Sequence, residues 1–261
     1  MNKKTLQTLL DEHLQRFNDT SFISPDPISV PHRFSKKQDI EIAGLFAALL
    51  AWGNRTSIIN SANRLTALMD ESPHDFIINH REKDRKRFEK WVHRTFQYSD
   101  LLYFLEFLQH HYTHHNSLET AFSSGMKIND PHVENALIYF HRYFFSLPHL
   151  NRTEKHLQTP LRKSACKRIN LFLRWMVRSD AKGVDFGLWK DIAPSQLICP
   201  LDVHVHRTAT QLKLITRKQA DWYTALELTT NLKNFDAEDP VKYDFALFGI
   251  GMELGGKKLI K

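Results

Sequence analysis

Cysteine, glycine and long apolar runs are all scarce in this sequence. Two cysteines, Cys166 and Cys199, occur in 261 residues. They are too few for a disulfide framework or a four-thiolate cluster, so no iron–sulfur cluster is expected. Nine glycines leave little material for tight hairpin turns, which tips the balance from sheets to helices. The longest apolar stretch, Ile42 to Trp52, is too short to span a bilayer. The opening segment MNKKTLQTLLDEHLQRF carries acids inside a helical pattern and lacks the apolar region of a signal peptide. The expectation is a cytoplasmic protein with no membrane partner. What is present is core volume, in 18 Phe and 5 Trp, and positive charge. The 36 Lys and Arg exceed the 29 Asp and Glu by 7, a balance that suits polyanions such as DNA, RNA or a membrane surface.

Apolar spacing predicts helices along the whole chain and no internal repeat. Leu6, Leu9, Leu10, Leu14 and Phe17 share one helical face. Pro25, Pro27 and Pro31 then make a rigid loop. Asp39 is placed to cap a second helix, apolar nearly all round from Ile42 to Leu50 and therefore buried. Gly53-Asn54 interrupts it, and Thr56 to Met69 resumes. Residues 81–90, REKDRKRFEK, read as a solvated helix face. Leu101 to Tyr112 and Pro131 to Phe145 are aromatic-rich helices. His111 and His115 have i,i+4 spacing but no acid nearby, so a partly exposed helix end is expected and no metal site. Lys163 to Arg178 reads as one helix with a basic stripe of Lys163, Lys167, Arg174 and Arg178. Further helices are expected from Asp202, from Arg217 to Leu232, and from Pro240 to Met252 with Asp239 as cap.

The segment Pro200-Leu201-Asp202-Val203-His204-Val205-His206-Arg207 holds the most chemistry. Asp202 opens a helix, where its carboxylate meets free backbone N–H groups at the positive end of the dipole. It is either a plain N-cap or an anion fixed where positive charge develops. Cleavage of an N-glycosidic bond needs such an anion, because the departing base leaves an oxocarbenium-like sugar.

This run resembles the aspartate-containing helix start of the helix-hairpin-helix–GPD DNA glycosylases, the superfamily of endonuclease III and 8-oxoguanine DNA glycosylase. The resemblance implies that Asp202 is catalytic and that His204 approaches DNA phosphate. Lys167-Arg168-Ile169-Asn170-Leu171-Phe172-Leu173 is similar to the superfamily's helix after the hairpin, which puts Lys167 at the position of the Schiff-base lysine. A phosphate-contacting surface lysine is the other reading of Lys167. Leu49 to Thr56, with Asn60, resembles the junction beside the flipped base. That implies Trp52 and Asn54 in the base pocket and Arg55 on DNA. Asp239 to Met252 resembles the final helix, where Asp244 and Phe248 match an i,i+4 pair that reads and stacks an extruded purine. The resemblance is strongest over 40–69 and 160–252. The middle stretch from WVHRTFQYSD looks like an uncharacterised bacterial family placed in this superfamily. The implied fold is all-α, with two helical lobes flanking a cleft in a single unit over 1–261. The implied partner is damaged double-stranded DNA, with no cofactor and no metal.

One departure bears on DNA binding. The superfamily's hairpin reads Leu-Pro-Gly-x-Gly, whereas Leu161-Arg162-Lys163-Ser164-Ala165 has no glycine. The usual tight turn that brings backbone N–H groups to phosphate is then not expected, and DNA contact falls to Arg162, Lys163 and Arg168, with Arg207 beyond. The loop from Arg178 to Asp202 is also longer than in endonuclease III, although an archaeal 8-oxoguanine glycosylase family has a similar spacing and an altered hairpin. Three readings follow. The first is a glycosylase, with or without lyase activity, acting on an oxidised purine. The second is a non-catalytic DNA- or RNA-binding protein on the same scaffold. The third is a metal hydrolase using Asp202, His204 and His206, which requires a strand there, since i,i+2 side chains on a helix point about two hundred degrees apart.

Overall fold

The computed structural model describes residues 2–255. Among them the fold is all-α, with no β-strand and two isolated bridges, His93–Phe96 and Ser164–Asp221. The α-helices are α1 (Lys3–Phe17), α2 (Lys37–Leu49), α3 (Arg55–Ala67), α4 (Pro73–Asn79), α5 (Tyr98–His114), α6 (Thr120–Ser123), α7 (Glu134–Phe144), α8 (Lys167–Val177), α9 (Val203–Gln211), α10 (Trp222–Lys233) and α11 (Tyr243–Leu254). No helix of the described residues is long and apolar enough to cross a membrane. The chain divides into two compact units. One comprises the residues up to Phe22, Ile128–Glu134 and those from Thr159 onward; the other is Ile23–Lys127 with Asn135–Gln158.

The second unit is centred on α2 and α5. Helix α2 is buried on every side from Asp39 to Leu49, as its unbroken apolar run predicts. It begins at Lys37, earlier than expected, and Asp39 does not cap it. The Asp39 carboxylate instead accepts the backbone N–H of His74 at 2.7 Å. Burying Glu41 in α2 leaves a carboxylate to be satisfied. Tyr112 donates to it at 2.8 Å, Ser117 at 2.6 Å and the Leu118 N–H at 3.0 Å. His111 is fully buried, between the Tyr143 hydroxyl at 3.1 Å and the Ser117 carbonyl at 3.0 Å. Burial drives its pKa down to about 4, so it is a neutral core histidine, while His115, next to the end of α5, is exposed. The charge run over 81–90 forms a 3-10 segment, Glu82–Phe88, whose Phe88 is fully buried.

The first unit gathers α1 and α8 to α11. Asn2 caps α1, accepting the Thr5 N–H at 2.8 Å. Helix α1 packs along α11, and Gly249 lies against Phe17. A methyl group there would lie 2.2 Å from a ring carbon of Phe17. Gly249→Ala should therefore destabilise the protein by about 1–3 kcal/mol, the usual cost of forcing extra volume into a packed contact. Urea unfolding would show it as a lower midpoint with an unchanged slope. The expected start of the last helix is also adjusted. Pro240–Lys242 form a 3-10 turn before α11. Asp239 makes no cap bond there, because Arg178 holds its carboxylate. Likewise α10 begins at Trp222, capped by Asp221, which accepts the Thr224 N–H at 2.9 Å.

Candidate functional site

The helix expected over Lys163–Arg178 is shorter than its pattern. Pro160–Arg162 form a 3-10 turn, and α8 starts only at Lys167. Two residues between them turn left-handed, Lys163 (φ 56°, ψ 19°) and Cys166 (φ 53°, ψ 31°). A tight turn thus forms here without glycine, correcting the expectation that its absence removes the turn. Each side chain held in this region costs about 1–2 kcal/mol, so the surroundings must hold it. The Lys163 carbonyl accepts the Trp222 N–H at 3.2 Å and the Ser164 hydroxyl accepts the Cys166 N–H at 3.1 Å. Asn170 donates its amide to the Ala165 carbonyl at 3.2 Å.

This turn aims the first residue of α8 at the first turn of α9. Asp202 is the N-cap of α9, and its Oδ1 accepts the N–H groups of His204 and Val205, both at 2.9 Å. Its Oδ2 lies 4.0 Å from Lys167 Nζ. Both side chains are about one-third exposed, at 34% and 29%. An ion pair so exposed contributes on the order of 0–1 kcal/mol, so it is not what holds the two helices together. The carboxylate is divided by geometry: one oxygen terminates a helix and the other faces an amine.

The same unit holds a buried chain of charges. Asp244, near the start of α11, is 7% exposed. Its Oδ2 is in direct contact with Arg174 Nη1, and its Oδ1 faces Cys199 Sγ at 4.0 Å. Arg174 also donates to Asp185 at 3.3 Å. The other Asp185 oxygen receives Arg178 at 2.9 Å, and Arg178 reaches Asp239 at 2.8 Å and Asp180 at 2.6 Å. Burial pushes the Asp244 carboxyl up to about 6 against the pull of Arg174, while Asp202 raises it further and Lys167 lowers it. Burial likewise raises Asp239 and drives the Cys199 thiol well above its ordinary value. Asp244, which the resemblance matches to a base-reading position, is thus buried with Arg174 on one oxygen and Cys199 near the other. Phe248 is half-buried and meets Phe22 edge-on at 5.6 Å and Phe17 at 6.4 Å.

The expected basic stripe does not exist as a surface feature, because Arg174 and Arg178 are each 2% exposed. Arg162 and Lys163 are exposed on the left-handed turn, and His204 and Arg207 on the first half of α9. Arg168 is half-buried, and burial lowers its pKa to about 10. Asp202, His204 and His206 occupy the start of a helix, not a strand, which removes the geometry a shared metal ion needs. Among the described residues no three His, Cys, Asp or Glu side chains are placed to hold a metal ion.

Trp52, Asn54 and Arg55 belong to the second unit. Arg94 lies over the Trp52 ring at 4.2 Å, and Asn54 caps α3 by accepting the Ser57 N–H at 3.1 Å. Asn54, Thr56, Ser57, Asn60, Arg64 and Trp91 are among the residues lining an open hollow of about 470 Å³ in that unit. Arg55 is exposed in the first turn of α3.

Sequence reasoning missed Asp185 and took Arg174 for a solvent-facing charge. The only local signal was the i,i+4 spacing of Arg174 and Arg178, which on a helix marks a shared face but not whether that face is wet or dry. A family model described as a protein of unknown function, DUF2400, matches residues 26–253. No curated protein and no solved structure matches the chain.

Proposed function

The chain belongs to the DUF2400 family of proteins of unknown function, and we propose that it is a DNA glycosylase with lyase activity, acting on an oxidised purine. The observation that supports this most is the 4.0 Å approach of Lys167 Nζ to Asp202 Oδ2 at the starts of two helices. In this reading the free amine of Lys167 attacks C1′ of the damaged nucleotide. The N–C1′ bond forms as the glycosidic bond breaks, the electron pair leaves with the base, and the base takes a proton. The amine then gives up a proton as the C1′–O4′ bond breaks and O4′ is protonated, which opens the sugar as an imine; loss of a C2′ proton from it expels the 3′-phosphate and cleaves the strand. The second Asp202 oxygen stabilises the cationic sugar on the way. Exposed Arg162, Lys163, His204 and Arg207 serve the phosphates, which makes binding weaken steeply with salt.

Duplexes bearing 8-oxoguanine or an abasic site, incubated with the purified protein, test this reading. Wild type should release the base and incise the strand, and Lys167→Ala should lose incision by about 10²–10⁴-fold, the scale on which positioned catalytic groups act. Salt-sensitive binding with no base release or incision on a panel of lesions, beside an active control enzyme, would leave the non-catalytic nucleic-acid-binding reading instead.

A further inference from the structure

The hollow of about 470 Å³ in the second unit has no task in the reaction above. It lies along one face of α3, where Ser57, Asn60, Ser61 and Arg64 recur at three- and four-residue steps and so share a stripe. Trp91 and Val92 supply its apolar wall. That wall is fixed to the helix. Trp91 Nε1 donates to the Ser61 carbonyl at 3.1 Å, and the Ser61 hydroxyl lies 2.9 Å from Nδ1 of His93, two residues further on. Trp91 and His93 are both buried. Burial lowers the His93 pKa, so the ring is neutral and adds no charge here.

A helix face turned toward apolar residues ordinarily carries apolar side chains of its own. This one carries polar groups with little to bond to inside the protein. Asn54 spends its side-chain oxygen on the Ser57 N–H at 3.1 Å, which leaves its amide nitrogen. Among the described residues the Thr56 and Ser57 hydroxyls and the Asn60 amide have no side-chain hydrogen bond. Arg64 donates to the Lys90 carbonyl at 3.2 Å and pairs with no described carboxylate. No acid lines the hollow.

We propose that this hollow binds a sugar phosphate, with Asn60 and Arg64 on the phosphate oxygens and the hydroxyls of Thr56, Ser57 and Ser61 on the sugar. The one full charge in the lining is positive and the uncommitted groups are mostly donors, which selects an anion rich in acceptor oxygens. A phosphate ester brings three such oxygens and a charge near −2, and a guanidinium grips it with two parallel N–H groups. Asn60 and Arg64 are i,i+4 neighbours and can share one phosphate. Ser57 lies seven residues before Arg64, about 10 Å along the helix axis, a span that a sugar phosphate covers and a bare phosphate does not. The same chemistry is offered by a free sugar phosphate and by the backbone of a nucleic-acid strand. The proposal does not rest on Lys167 and Asp202, which belong to the first unit.

Calorimetric titration of the purified protein with ribose 5-phosphate, with ribose and with a short single-stranded oligonucleotide tests it. Wild type should bind ribose 5-phosphate and not ribose. Arg64→Gln should weaken that binding by about tenfold or more, as loss of a hydrogen bond to a charged group does, and Asn60→Ala by about fivefold. Both residues are exposed, so the melting temperature should stay at the wild-type value. An oligonucleotide that displaces ribose 5-phosphate identifies the strand as the source, and one that does not identifies the free sugar phosphate. Wild type that binds neither probe overturns the proposal, as does binding that is equal in wild type and Arg64→Gln. Arg64-dependent binding in a protein that releases no base from any lesion would sink the glycosylase reading and leave the sugar-phosphate site standing.

Discussion

Asp202→Asn is expected to abolish base release while leaving the fold and DNA affinity close to wild type. The two oxygens of this side chain have separate tasks. Oδ1 accepts two N–H groups at the start of α9, and an asparagine oxygen does the same in the same place. Oδ2 faces Lys167 Nζ at 4.0 Å, and there the substitution replaces an anion by a neutral amide. Loss of a group that stabilises transition-state charge costs about 10²–10³-fold in rate. Asp202→Ala removes both functions, so it should show the same loss of rate plus about 1 kcal/mol of stability for the missing cap. Single-turnover base release and thermal unfolding, measured on both variants, separate the two tasks. Equal unfolding temperatures for the Asn and Ala variants would show that Oδ1 caps nothing of consequence. A fully active Asn variant would remove Asp202 from the reaction.

Arg178→Ala should cost more stability than any surface substitution in the molecule. Its guanidinium is 2% exposed and binds Asp185, Asp239 and Asp180 at once. Removing it leaves three carboxylates facing each other around an unfilled volume. Breaking a buried ion pair from one side costs about 3–5 kcal/mol, because the remaining charge is uncompensated. For a chain of this size, with about 2–4 °C per kcal/mol, Tm should fall by roughly 10 °C. Arg178→Lys should recover little of this, since one ammonium lacks the planar fork that reaches three acids in different directions. A melting curve for Arg178→Ala within two degrees or so of wild type, about the effect of a surface change, would show that the network is dispensable.

Helix positions could be read from the sequence wherever burial follows apolar periodicity. The face of α1 with Leu6 and Leu10, the all-round burial of α2 and the apolar body of α8 around Ile169, Phe172 and Met176 all appear as expected. Charged residues were the blind spot. Arg174 and Arg178 look like a wet stripe, because the acids that bury them lie outside the helix, Asp185 in the loop that follows and Asp239 and Asp244 far along the chain. For the same reason Asp39 and Asp239 look like helix caps, although the groups that claim them, the His74 N–H and Arg178, lie far along the sequence. The turn at Lys163 and Cys166 was hidden differently. Left-handed backbone is signalled by glycine, and here the conformation is imposed on other residues by bonds from Trp222 and Ser164. Asp202 opens α9 where its local sequence puts it, whereas Lys167 opens α8 because that helix starts four residues later than its apolar pattern.

The central claim is that the Lys167 amine reaches the sugar of a nucleotide, with Asp202 beside it. Sodium borohydride reduction of the protein mixed with lesion-bearing and abasic duplexes, followed by peptide mass mapping, tests that claim most directly. The expected result is one covalent DNA–protein adduct, on Lys167, that disappears in Lys167→Ala. An adduct on a different residue, or none on any duplex while a control lyase is trapped in parallel, would contradict it.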